Sequence, residues 1–203
     1  MKILVLGGFL GSGKTTFLLK LARYLTDHSA HEGPTKLAII ENEIGAVGID
    51  SNILGNAGLQ TRDLFAGCAC CSLREELVTT VREIREQLDP ETILIESTGV
   101  GIPENIRSLL QENMADPVYI LVLVDGSRWF RILPVAGQLA RAQLVGSDLV
   151  LINKADLLTP QQLAEAMEQM ARELPGGRFL PCSCVCDDLE NTVLPEILKL
   201  LQD

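Results

Sequence analysis

The run Gly8-Phe9-Leu10-Gly11-Ser12-Gly13-Lys14-Thr15 constrains this chain more than any other feature. It fits G-x-x-x-x-G-K-[ST] and lies between an apolar stretch, Ile3 to Leu6, and the start of a helical period. Glycines at these spacings let backbone N–H groups ring an anion, and the N-terminus of the following helix adds positive potential. The loop from Gly8 to Thr15, Ser12 included, is therefore a nucleotide phosphate site. Lys14 reaches the outer phosphates, and the Thr15 hydroxyl is placed to ligate Mg²⁺.

Such a loop needs a strand before it and a helix after it, and the rest of the chain continues that alternation. Strands are predicted near 2–7, 36–41, 92–96, 118–124, 148–152 and 178–182, with a short extra one near 61–65. Helices are predicted near 14–26, 73–88, 103–113, 135–146, 160–174 and 192–201. This is the pattern of an α/β fold, a mostly parallel sheet of about six or seven strands with helices on both faces. Two helix starts are well signed. Ser72 with Glu75 forms a capping box ahead of Leu73, Leu77, Val81, Ile84 and Leu88, and Asp89-Pro90 ends that helix. Thr159, Pro160 and Gln162 open another, with Leu163, Met167, Met170 and Leu174 on its buried side.

At 203 residues the chain is read as a single domain, 1–203, that buries roughly 70% of its unfolded surface. Apolar residues at 47% and charged residues at 22% exclude a disordered or fibrous chain. A formal charge of −10 repels phosphate backbones and anionic lipid, so neither nucleic acid nor membrane is an expected partner. The longest apolar run, Val118 to Val124, is far short of the ~20 residues of a membrane span. Met1, Lys2 and the following apolar residues imitate a signal peptide only faintly. The glycine-rich run fits a strand and loop instead, and a cytoplasmic setting is expected.

Two further motifs follow strands. Asn153-Lys154-Ala155-Asp156 comes after the apolar run Leu149 to Ile152. A carboxylate there can accept hydrogen bonds from the N1–H and N2–H₂ edge of guanine, a donor pair that adenine lacks, so GTP is the nucleotide expected. The stretch Ile93 to Ile95 ends in Glu96, followed by Ser97-Thr98-Gly99. A carboxylate at that strand end can hold Mg²⁺ through water, and the Gly99 N–H can sense the γ-phosphate.

The six cysteines fall in two clusters, Cys68/Cys70/Cys71 and Cys182/Cys184/Cys186. Such clustering points to metal or redox chemistry rather than a disulfide framework. The first cluster precedes Ser72, the cap of a helix, whose dipole favours thiolates and hence soft metals. It also closes a long glycine- and asparagine-rich segment, Asn42 to Gly67.

Taken in order, GGFLGSGKTT, IENEIGAVGID, AGCACCSL, ILIESTGVGIP and NKADL resemble the CobW-type GTPases, relatives of the nickel chaperones HypB and UreG. The resemblance covers nearly the whole chain, and the Cys-x-Cys-Cys element separates the CobW type from those relatives. It implies slow GTP hydrolysis coupled to binding and delivery of Zn²⁺ or cobalt, or of a metal-containing cofactor such as a corrinoid. Carried onto this sequence, Gly11, Gly13, Lys14, Thr15 and Thr16 hold phosphates and Mg²⁺. Glu96 and Gly99 match the Glu-x-x-Gly after the strand, and Asn153, Lys154 and Asp156 hold guanine. Cys68, Cys70 and Cys71 match the metal motif. Glu41 and Glu43 are candidate oxygen ligands or nucleotide-sensing acids, and Asp50 is a candidate for the Mg²⁺ shell. The loop containing Ser183 is expected to meet the guanine base. A client metalloenzyme or cofactor-carrying protein is the implied partner, and a homodimer across the nucleotide face is compatible with the resemblance.

The sequence also departs from that family's pattern. Its members often carry a second, C-terminal domain and a histidine-rich segment, whereas this chain ends at Asp203 and has only His28 and His31. It reads as a short form, with the two histidines in surface or capping roles. The cluster Cys182 to Cys186 stays open between strand-face residues, a second metal site and a redox element. Trp129, in the segment Ser127 to Pro134, is read by default as a partly buried aromatic, the alternative being a lid or partner surface. With no water-orienting Gln after Glu96 and no evident arginine finger, hydrolysis is expected to be slow and activated by a partner. The alternatives are a nucleotide-stabilised thiolate metal-binding module without a delivery role, and a small-molecule kinase, which Asn153 to Asp156 disfavours.

Overall fold

The computed structural model describes residues 1–28, 37–41, 60–63, 72–186 and 188–202, with only the backbone described at 41, 60–63 and 72–75. Among the described residues, seven strands form one sheet in which every pairing is parallel. They are β1 (Lys2–Gly7), β2 (Leu37–Glu41), β3 (Gln60–Asp63), β4 (Thr92–Glu96), β5 (Val118–Asp125), β6 (Leu149–Asn153) and β7 (Phe179–Pro181), in the order β3-β2-β4-β1-β5-β6-β7. The helices are α1 (Lys14–Asp27), α2 (Ser72–Leu88), α3 (Pro103–Asn113), α4 (Trp129–Leu144), α5 (Pro160–Glu173), α6 (Leu189–Thr192) and α7 (Leu194–Gln202). No helix among the described residues is long and apolar enough to cross a membrane.

Both faces of a parallel sheet must be covered, so the central strands are near-continuously apolar rather than alternating, while the edge strand β3 is polar. The two-residue period shows instead in the kind of apolar side chain. Leu4, Leu6, Leu37, Leu94, Leu121, Leu123, Leu149 and Leu151 face a core built with α1 and α7. Ile3, Val5, Ile40, Ile93, Ile95, Ile120, Val122, Val150 and Ile152 face a second core completed by α2, α3, α4 and α5. With Ile39 the exception, long leucines of the central strands thus pack against one helical layer, and β-branched side chains, restricted at χ1, against the other.

The expected capping box at α5 is formed: Gln162 N–H donates to Thr159 Oγ1 at 3.2 Å, and Thr159 N–H donates to Gln162 Oε1 at 3.0 Å. Thr159→Ala should remove about 1 kcal/mol of stability. Thermal unfolding should show Tm lower by about 2–4 °C, and an unchanged Tm would mean that the box contributes nothing here. His28 caps the end of α1, its Nδ1 3.0 Å from Tyr24 O and its ring stacked on that of Tyr24. The capping residues Ser72 and Glu75 have side chains outside the described residues.

Two local expectations are corrected. The helix predicted at 135–146 starts at Trp129 and runs through Pro134, bending at Ala136 (φ −132°, ψ 31°). Proline lacks the N–H for an i→i−4 bond and crowds the preceding turn, so the helix kinks there instead of beginning there. Trp129 is 1% exposed rather than partly buried, and it anchors the start of α4 in the core.

Candidate functional site

Ligands of parallel α/β sheets bind beyond the carboxyl ends of the strands, and the sequence motifs gather at that edge. The register aligns Glu41 with both Asp63 and Glu96, and on the other side of β1 it aligns Asp125 with Asn153. Acidic and amide residues therefore end neighbouring strands at one level, around the loop that leaves β1.

That loop is preformed. Gly8, Gly11 and Gly13 take positive φ, 135°, 76° and 101°, which turns successive N–H groups toward one side. Gly13 is the N-cap of α1. A Cβ at Gly13 would lie 2.4 Å from Asn153 Nδ2, so the guanine-motif asparagine occupies the space that a side chain would need. Lys14 is buried, its ammonium donating to Gly8 O at 2.9 Å and to Phe9 O at 3.3 Å. From these loop carbonyls it can turn to a phosphate. Thr16 is exposed beside it.

Thr15 and Glu96, 81 residues apart in sequence, meet directly. The Thr15 hydroxyl donates to Glu96 Oε1 at 3.1 Å and Oε2 at 3.2 Å. A hydroxyl and a carboxylate are the hard oxygen donors that Mg²⁺ takes, so this donor set fits that ion. The turn that follows packs against the phosphate loop. A Cβ at Gly99 would lie 2.7 Å from Leu10 N, a close approach that only glycine permits without displacement.

Asn153 links three segments. Its Nδ2 donates to Ser12 O at 2.6 Å, and its Oδ1 accepts from Cys184 N–H at 2.9 Å. Ala155 N–H donates to Cys182 O at 3.0 Å. Lys154, in the left-handed region at φ 62°, spans the phosphate loop and β5: its ammonium donates to Gly11 O at 2.8 Å and to Asp125 Oδ2 at 2.7 Å. Asp156 is exposed. The hydroxyls of Ser12 and Ser183 are buried without a partner among the described residues, so both retain hydrogen-bonding capacity on either side of Asn153.

Two residues that the sequence reading missed hold this site in place. Asp125, 3% exposed, accepts from Lys154 and from the Ser127 hydroxyl at 2.6 Å, with Arg128 Nε 3.5 Å away. Burial pushes its carboxyl up, but hydrogen bonds from Lys154 and Ser127 and the charges of Lys154 and Arg128 outweigh it, so it titrates below the ordinary carboxylate range. Its signal was available, because an acid ending an apolar strand is what marks Glu96. Gln143, 1% exposed on α4, donates to Gly99 O at 3.0 Å and to Gly101 O at 3.3 Å, fixing the turn after Glu96. A glutamine beside Ala140 and Leu144 on the buried side of a helix is a visible but weak sign.

The candidate metal residues Cys68, Cys70 and Cys71, with Glu43 and Asp50, lie outside the described residues, as do His31 and the Glu41 side chain. The described residues contain no group of three or more His, Cys, Asp or Glu side chains arranged to hold a metal ion.

Residues 2–180 match the family described as CobW/HypB/UreG, nucleotide-binding domain. The chain belongs to that family. Among curated relatives, the zinc chaperone YeiR of Escherichia coli K12 is 32% identical over 178 residues, covering 85% of this chain and 52% of that protein. The zinc chaperone CobW of Pseudomonas aeruginosa is 30% identical over 212 residues, covering 87% of this chain and 55% of that protein. The chain thus spans about half the length of these CobW-type relatives. The crystal structure of HypB from Helicobacter pylori in complex with nickel superposes with a TM-score of 0.68 at 18% identity, covering all of this chain and 87% of HypB. That likeness shows the shared α/β fold of the CobW/HypB/UreG group.

Proposed function

We propose that this chain binds GTP with Mg²⁺, hydrolyses it slowly, and couples its nucleotide state to binding a transition-metal ion at Cys68, Cys70 and Cys71. Zn²⁺ is the ion that the curated relatives' names support, with Co²⁺ or a corrinoid as the other cargo compatible with the sequence. The recipient is a client metalloenzyme or cofactor-carrying protein. The observation that carries the nucleotide half of this reading is the Asn153 junction. One side chain ties the guanine motif to the phosphate loop, so base and phosphates are read by one connected unit.

In this reading the N–H groups of the Gly8–Thr15 loop bind the phosphates, Lys14 turns onto the outer ones, and Thr15 and Glu96 hold Mg²⁺. The ion would neutralise charge that develops between the β- and γ-phosphates. Lys154 lies along the loop, where its alkyl stem would support the base, and Asp156 is exposed and would accept from the guanine edge. The Gly99 turn, fixed by Gln143 and packed on Leu10, is where loss of the γ-phosphate would be felt. Leu10 and Val100, 80% and 67% exposed beside this site, support a partner meeting the nucleotide face, either the client or a second copy of the chain. The cysteine cluster adjoins α2, so a rearrangement of the segment before it would alter its geometry.

Zn²⁺ or Co²⁺ titrated into reduced, metal-free protein against a competing chelator tests the coupling. Affinities in the Mg²⁺-GTP-analogue and Mg²⁺-GDP states should differ by about 5–150-fold. Cobalt should show thiolate charge-transfer absorption, and Cys70→Ala should lose both effects. Equal affinity in every nucleotide state would leave the second reading, a thiolate metal-binding module that uses nucleotide only for stability.

A further inference from the structure

The thiols of the run Cys182-Ser183-Cys184-Val185-Cys186 take no part in the mechanism above, yet two of them lie against the site. Cys182 and Cys184 are buried, at 7% and 4% exposure, in one cluster of the core. All three thiols are free, and Cys186 is exposed. Cys184 Sγ would lie 3.9 Å from a Cβ placed at Gly13. Cys182 Sγ is 4.0 Å from Asn153 Oδ1, the same oxygen that accepts the Cys184 N–H. The pair is therefore packed between the phosphate loop and the asparagine that secures it.

The two thiols differ in character. The hydrogen bond from Cys182 lowers the Cys184 thiol, as do the Lys20 charge and the bond with Asn153, while burial and Asp156 oppose them. That same mutual hydrogen bond raises Cys182, and burial adds to it. Of the two, Cys184 is the thiol more readily ionised and Cys182 the one that keeps its proton until a second step.

We propose that Cys182 and Cys184 form a redox-modification site at which a hydroperoxide closes a disulfide, and that closing it detaches Asn153 and weakens guanine-nucleotide binding. This inference rests on the guanine-site reading above. In the first step Cys184 sulfur attacks the peroxide O–O bond. That bond breaks, the sulfur gains one oxygen as sulfenic acid, and the other oxygen leaves as water or alcohol. In the second, Cys182 sulfur displaces the sulfenic oxygen, which departs as water with the Cys182 proton, and the S–S bond forms. Two thiols lose two hydrogens and one peroxide is reduced. The covalent link draws residues 182–184 together, which withdraws the Cys184 N–H from Asn153 and disturbs the Cys182 carbonyl that holds Ala155.

The test uses the full chain with a chelator present and compares reduced protein with protein treated with hydrogen peroxide and quenched with catalase. Peptide mapping should show the loss of two hydrogens in the peptide holding Cys182 and Cys184. Affinity for a fluorescent GDP should fall at least about tenfold, the effect of losing one to two hydrogen bonds at a buried amide, and a thiol reductant should restore it. Cys186→Ser, and the triple variant Cys68→Ser, Cys70→Ser and Cys71→Ser, should keep this response, while Cys182→Ser should lose it. A disulfide mapped to this pair with unchanged affinity would overturn the proposal, and so would a pair that stays reduced while Cys68, Cys70 and Cys71 oxidise. Reduced protein that binds no guanine nucleotide would overturn the guanine reading and this coupling with it.

Discussion

Gly13→Ala is expected to lower guanine-nucleotide affinity by about a hundredfold, in a protein that still folds. Two physical terms combine. Gly13 sits at φ 101°, where an L side chain costs on the order of 1–3 kcal/mol. Its new methyl would also lie 2.4 Å from Asn153 Nδ2. Asn153 is 2% exposed and held at both ends, by Ser12 O and by Cys184 N–H, so it cannot yield without breaking a buried hydrogen bond. Losing that bond costs about 1–3 kcal/mol. A total near 3 kcal/mol, at 1.4 kcal/mol per tenfold, gives the expected loss of about a hundredfold. Isothermal titration with GDP and Mg²⁺ measures it. Wild-type affinity in the variant would show that the loop and Asn153 move freely, contrary to the preformed site described above.

Asp125→Ala is expected to have the second-largest effect, although no substrate atom need touch that residue. It removes the carboxylate that pins the Lys154 ammonium at 2.7 Å and accepts the Ser127 hydroxyl at 2.6 Å. Breaking a buried pair costs about 3–5 kcal/mol, but the Lys154 side chain is 30% exposed and recovers hydration, so about 2 kcal/mol of stability is the expectation. Lys154 then loses its fixed position across Gly11, and guanine-nucleotide affinity should fall about tenfold.

The pH dependence has a defined sign. The folded carboxyl of Asp125 titrates below its unfolded value, because bonds and charges from Lys154, Ser127 and Arg128 outweigh burial. As pH falls, the unfolded chain therefore takes up the proton first. Stability from this group is complete above the ordinary carboxylate value of about 4 and is lost as pH drops through the lower folded value. Glu173 and Glu196, lowered through Arg141 and Lys199, act in the same direction and window. The difference between wild type and Asp125→Asn in urea unfolding at a series of pH values isolates Asp125. A difference that stays constant from neutral pH into the acid range would refute its role as a buried anion.

Much of the site was legible before any coordinates. The phosphate loop, Glu96 and Asn153-Lys154-Ala155-Asp156 are local patterns, each tied to the end of an apolar strand, and local patterns survive into the fold. Asp125 ends an apolar strand as Glu96 does, but no motif follows it to mark a function. Gln143 was harder to see, since one polar residue on an apolar helix face has no meaning until its partners, Gly99 and Gly101, are known. The start of α4 was misplaced because Pro134 reads locally as a helix opening. Burial of Trp129, a tertiary contact, outweighed that preference and carried the helix through the proline with a kink.

The sequence by itself determined the α/β alternation, the phosphate-loop and guanine-type motifs and the presence of two thiol clusters. These depend on residue type, spacing and period, which are properties of neighbours along the chain. Only the tertiary structure decided that Thr15 meets Glu96, that Asn153 fills the space left by Gly13, and that Asp125 anchors Lys154. It also decided that Cys182 and Cys184 are buried together against Asn153. The partners in several of these contacts are 29 to 141 residues apart in sequence, and parallel strand order, invisible to local periodicity, is what brings them to one edge.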